Sequence, residues 1–215
     1  MRAILAIAAL GIIASTPVRA DLNSAEMAAA RAFVGTQSVI FQPLTRQGTL
    51  MGCSLVYKTV AFDDHYKQGQ PFTATGNITV SVAKGNYGVS LKVIVDDFVR
   101  IIPEVRTESS RPAFIYLATS GGVTNAKSLA SKFDSDSDGG LVAVYPADDS
   151  FFAILDHMLK TDEVIVAFSR TSNGLDVKFP VDIAVTSYEI VDDKVVRQRG
   201  PENGLRFVEC MSQLK

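Results

Sequence analysis

The stretch EVIVAFSRTSNGLDVKFPVDIAV, residues 163–185, decides the fold class of this chain. Two runs rich in β-branched and aromatic residues, 163–170 and 175–185, flank Thr171-Ser172-Asn173-Gly174. Val, Ile and Phe suit a pleated, half-buried surface better than the crowded turns of a helix. Asn-Gly offers the two positive φ angles of a tight type I′ turn, so the spacing predicts a β-hairpin. Pro180 removes a ladder donor and places the second run at a sheet edge or a bulge.

Working outward, residues 151–160 (FFAILDHMLK) follow Asp148, Asp149 and Ser150, all good helix caps. Phe151, Ile154, Leu155 and Met158 then fall on one helical stripe, the spacing of a core-facing helix. Residues 141–145, 113–119, 88–98 and 77–83 read as strands, the last two joined by a loop at 84–87. Between 50 and 60, Cys53, Leu55, Tyr57 and Thr59 alternate onto one face of a further strand. Short strands are also expected within 186–196 and at 206–212, the latter carrying Cys210. Two other helices are expected. One is alanine-rich, capped by Asn23 or Ser24 and closed at Gly35, with too little apolar face for deep burial. The other spans 123–133 and aligns Ala126, Leu129, Ala130 and Phe133. About nine strands without βαβ alternation or internal repeat predict a mainly β protein. The expected architecture is an antiparallel β-sandwich or open barrel with two or three short helices.

Residues 1–20 read as a cleaved secretory signal. Arg2 provides the positive start, residues 3–14 an apolar run, and Val18 and Ala20 the small residues before the cleavage point. Twelve apolar residues fall short of the roughly 20 that span a bilayer. Residues 21–215 are expected to form one β-rich domain that is periplasmic or secreted. The leader takes Arg2 and Arg19 with it, leaving 19 basic against 23 acidic residues, a net charge of −4. That balance carries no electrostatic footprint for nucleic acid. No later apolar run is long enough to be a transmembrane segment.

In an exported chain two cysteines favour a disulfide, here Cys53 to Cys210. Asp134, Asp136 and Asp138 in DSDSDG alternate like the start of an oxygen-ligand calcium loop, and Gly139 allows the turn. Tyr145 stands where a bidentate glutamate belongs, so a complete EF-hand is excluded and only a partial calcium site is expected. The chain has two histidines, His65 beside Asp63 and Asp64, and His157 beside Asp156. A hydrolase would draw its base from one of them, yet no GxSxG elbow is present. Phosphate-loop and dinucleotide fingerprints are absent, as are paired His or Cys ligands for zinc. Lys194–Arg199 (KVVRQR) reads as a charged edge strand that discourages strand addition.

Residues 156–181 (DHMLKTDEVIVAFSRTSNGLDVKFPV) resemble, in hydrophobic pattern, the C-terminal part of small periplasmic proteins of the invasion-associated locus B type. The resemblance implies a β-sandwich in the periplasm, and no residue role carries over. The functional expectation is non-enzymatic binding of a small ligand or envelope protein. A hydrolase using His65 or His157 and a calcium-stabilised adhesion module are the alternatives.

Overall fold

The computed structural model describes residues 19–83, 85–101, 104–120, 122–124, 129, 131–192 and 194–215. The elements run β1 (Arg19–Ala20), α1 (Ser24–Ala32), β2 (Gly35–Arg46), β3 (Thr49–Asp63), β4 (Gln70–Ala83), β5 (Asn86–Ile101) and β6 (Glu104–Ser109). Next come β7 (Phe114–Thr119), β8 (Gly122–Val123), β9 (Ser131–Asp134), β10 (Gly140–Pro146) and α2 (Asp149–Thr161). The chain continues with β11 (Glu163–Ser169), β12 (Val177–Asp182), β13 (Val185–Val191), β14 (Lys194–Arg199) and α3 (Glu202–Ser212).

Among the described residues, an eight-stranded antiparallel sheet follows the order β2-β3-β4-β5-β10-β9, with β1 and β6 also paired to β5. A second sheet, β12-β11-β7-β8, packs on its inner face, and β13 and β14 form a separate hairpin. Neither large sheet closes on itself, so the protein is a mainly β sandwich with three short helices. Alternation builds the core. Phe72, Ala74, Ile78 and Val80 of β4 and Val89, Leu91, Val93 and Val95 of β5 are buried, between neighbours that are mostly half-exposed. Phe72 meets Phe168 edge-on at 5.4 Å and Phe179 at 5.8 Å, which joins the two sheets through aromatic contacts. On α2, Asp148 caps the helix by accepting from the Phe151 N–H, and the stripe Phe151, Ile154, Leu155 and Met158 is buried as the spacing predicts.

Several elements depart from the sequence reading. The decisive hairpin is present as β11 and β12, with Pro180 on the edge strand, but Asn173 and Gly174 do not adopt positive φ. Gly174 is needed for space instead: a Cβ there would collide with Tyr66 Oη, which donates to Leu175 O. A two-residue turn with positive φ is found at Gln47-Gly48 (52° and 79°), between β2 and β3. Strand β2 went unrecognised in the sequence because Pro43 and exposed Gln42, Thr45 and Arg46 blur its pattern. The helix expected over 123–133 is replaced at both ends by β8 and β9, with 125–128 and 130 outside the described residues. The expected terminal strand at 206–212 is α3, whose buried Asn203, Phe207 and Cys210 recur at helical spacing. In a seven-residue window that period is hard to tell from two.

Cys53 and Cys210 are bonded, so the disulfide ties α3, not a strand, to β3. Of the expected leader, only Arg19 and Ala20 lie among the described residues. They pair with Ile101 and Arg100 of β5. No described helix is long and apolar enough to cross a membrane.

Candidate functional site

The Asp134–Asp138 stretch lies at the β9–β10 hairpin. Asp134 forms a bidentate pair with Arg111, and Asp136 Oδ1 accepts from Lys92 Nζ at 2.6 Å. The Lys92 bond first, and then one from the Ser135 hydroxyl, hold the Asp136 carboxyl below the usual aspartate range. Among the described residues no group of three or more His, Cys, Asp or Glu is arranged to hold a metal ion. Two of the three carboxylates are turned toward cations instead of toward one another.

His65 is exposed in the β3–β4 connection, and among the described residues only its backbone N–H is engaged, by Asp63 Oδ1. His157, on α2, has Nε2 2.9 Å from Ser120 Oγ, a juxtaposition that brings together residues 37 apart. No described carboxylate bonds the imidazole, because neighbouring Asp156 is paired with Lys160. A nucleophile–base pair works with a group that orients the base and with donors for the oxyanion. The serine here is exposed, and neither residue lines the cavity beneath α1 described below.

A charged cluster that the sequence reading missed joins the sheets. The Arg170 guanidinium donates from Nε to Asp63 at 2.6 Å, from Nη2 and Nη1 to Asp97 at 2.6 and 3.1 Å, and from Nη1 to Ser110 Oγ at 2.6 Å. Asp63 is fully buried, and Asp97 and Arg170 nearly so. The signal was legible: Asp63 and Asp97 fall in the core phase of β3 and β5, and Arg170 continues the core phase of β11 one residue beyond its end. Four of the five guanidinium N–H donors are used within the cluster, which is therefore a clasp between layers. It sits ten residues along β3 from the disulfide, about 33 Å at strand rise, so β3 is anchored near both ends.

A cavity of about 390 Å³ lies on the outer face of the large sheet beneath α1. That volume is within the range of small-molecule sites. Local sequence forms its roof. Asn23 and Glu26 complete a reciprocal capping box, alanines favour the helix, and the helix ends at Phe33 before Gly35 at φ 103°. Arg197 from β14 clamps that exit by donating to Thr36 O at 2.6 Å and to Val34 O. No residue of α1 is buried. Ala29, Ala30 and Phe33 line the cavity over Val60 and Phe98 of the sheet, and Tyr188 from β13 forms an end wall.

The polar groups of this lining are few. Lys58 is exposed and makes no ion pair among the described residues. Gln37 is 3% exposed, and its Nε2 donates to Gly35 O at 2.8 Å and to Phe33 O. Its Oε1 is buried and has no partner among the described residues. The register of β2 against β3 shifts between Thr36 and Ser38, and at this irregularity the consecutive residues Thr36 and Gln37 are both buried. Strict alternation would have buried only one of them, which is why pattern reading passed over Gln37. The lining is mostly apolar, and among its described residues no nucleophile is paired with a base. Compared with known proteins, the chain matches no family model, no curated protein and no solved structure.

Proposed function

We propose that this protein is exported to the periplasm or beyond and binds an apolar small molecule non-enzymatically in the cleft beneath α1. One observation carries the reading: a helix with an apolar face and no buried residue roofs a 390 Å³ cavity over the sandwich. An occupant would complete the packing that α1 lacks, burying its alanines and Phe33 at roughly 25 cal/mol per Å² of apolar surface. Export is supported by the pattern of residues 1–20 and by the buried Cys53–Cys210 disulfide, which persists in oxidising compartments. Residues 21–215 are taken as one domain.

A fluorescent anilinonaphthalene sulfonate tests the reading, because it combines an apolar body with an anion that Lys58 can face. Saturable binding with enhanced emission is expected, competed by long-chain alcohols and blocked by Ala30→Trp, which fills the cleft. Emission that does not saturate, or that survives Ala30→Trp in a folded variant, would overturn it.

A further inference from the structure

We propose that α3 is a disulfide-latched plug on the open edge of β2, and that opening Cys53–Cys210 with a dithiol frees this edge to pair with β2 of a second copy of the chain. Among the described residues β2 ends the order of the large sheet, so β3 pairs with one side of it and no strand pairs with the other. In an extended strand the N–H and C=O of one residue point to the same side, and Val39 and Phe41 present theirs to the open side. Asn203 of α3 meets them there. Its Oδ1 accepts from the Phe41 N–H at 3.0 Å and its Nδ2 donates to Val39 O at 2.8 Å. One buried side-chain amide thereby gives β2 the acceptor and the donor that a residue of an added strand would supply. A bare strand edge is a template for pairing with another chain, and covering it is how folds suppress that pairing.

Asn203 reaches β2 only as part of α3. Eleven residues are too few for a helix that is stable on its own, and the buried residues that seat this one are Asn203, Phe207 and Cys210. The bond from Cys210 to Cys53 ties the helix to β3, beside the edge that it covers. Opening that bond is a two-electron exchange. The two sulfurs of the dithiol join in a new S–S bond, the Cys53–Cys210 bond breaks, and the two protons of the dithiol pass to the cysteine sulfurs. The edge so vacated is self-complementary. An antiparallel pairing about a two-fold axis at Ile40 sets Val39 of each copy opposite Phe41 of the other, so that every N–H meets a C=O. Ile40 is 59% exposed and would lie against its own counterpart at the axis. Pro43 has no N–H to offer, which ends the pairing and keeps the contact short.

The test compares the full chain, oxidised and reduced with dithiothreitol, by sedimentation over a concentration series and by hydrogen exchange at the Phe41 amide. The oxidised chain should keep the mass of one copy. The reduced chain should rise about twofold in mass with concentration while keeping its strand circular dichroism. Ile40→Lys should return the reduced chain to a single copy, because it sets two ammonium groups against each other across the axis at a position exposed in the monomer. In the oxidised chain Asn203→Ala should speed exchange at Phe41 about tenfold, the equivalent of one hydrogen bond, a readout that needs no reduction. Unchanged exchange at Phe41 in that variant would overturn the plug. A reduced chain that stays monomeric at every concentration, or that loses its strand signal, would overturn the latch, and so would an oxidised chain that pairs equally well. Association that survives Ile40→Lys would overturn the β2 edge as its site.

Discussion

Replacing Arg170 with methionine would test whether the clasp between the sheets is buried enough to matter. The substitution keeps a long unbranched side chain beside Phe168 and removes the charge, leaving two buried carboxylates on the same sheet, one on β3 and one on β5. Asp63 is 0% exposed and Asp97 7% exposed, so water cannot replace the guanidinium for either. Lys67, 3.4 Å from Asp97, is half-exposed and compensates only that one carboxylate. Removing one partner from a buried pair costs about 3–5 kcal/mol, against about 0–1 for an exposed pair. For a chain of this size the loss corresponds to a fall of roughly 6–20 °C in melting temperature. Urea unfolding of the oxidised protein measures it directly. A companion variant, Arg170→Met with Asp63→Asn and Asp97→Asn, removes the stranded charges. It should recover about 2 kcal/mol or more, since the amide oxygen introduced at position 63 can still accept from the backbone of the β3–β4 connection. A loss below about 1 kcal/mol for Arg170→Met alone would refute the reasoning, because the cluster would then behave as a surface pair.

Four further outcomes follow from the same geometry. Cys53→Ser with Cys210→Ser opens a loop closed over a sequence separation of 157 and should cost about 5 kcal/mol in the chain-entropy account, read from the urea midpoint; an unchanged midpoint would mean that α3 holds by packing alone. Asp148 is held below the usual aspartate range first by the Ser150 hydroxyl and then by the Phe151 N–H. Its cap is therefore fully present above about pH 3.9 and is lost as pH falls through the lowered folded value, so Asp148→Ala should cost about 1 kcal/mol at neutral pH and nothing in strong acid. Millimolar calcium should leave the melting temperature unchanged in the natural chain and in Asp136→Ala, because Lys92 and Arg111 occupy the carboxylates; a rise confined to the natural chain would establish an ion site. A fluorophosphonate should leave Ser120 unlabelled, whereas an adduct lost in His157→Ala would restore the hydrolase.

Sequence reading reached the fold through elements whose local signals agree with their burial. The alternation of β4 and β5 and the stripe and cap of α2 are cases where one residue pattern meets one tertiary surface. The failures have a common cause, a tertiary neighbour that overrides a local period. Gly174 resembles a turn residue but serves the Tyr66 hydroxyl, and α3 shows its helical period only once β3 supplies a surface for Phe207 and Cys210. The clasp was readable as three charges in core phase, a pattern that the notion of a polar strand end concealed. The cleft was not readable, since it depends on how loosely α1 lies on the sheet and on one irregularity of β2 that buries Gln37 next to Thr36.

The position of the disulfide divides the chain mechanically. Pulled from its ends, the oxidised protein can lengthen only through the residues before Cys53 and after Cys210, each yielding about 3.5 Å, while everything between is shielded from the load. α1 and β2 lie in the part that yields, and most of the sandwich does not. Tension on the N-terminal end would therefore lift α1 and open the cleft while the body stayed folded.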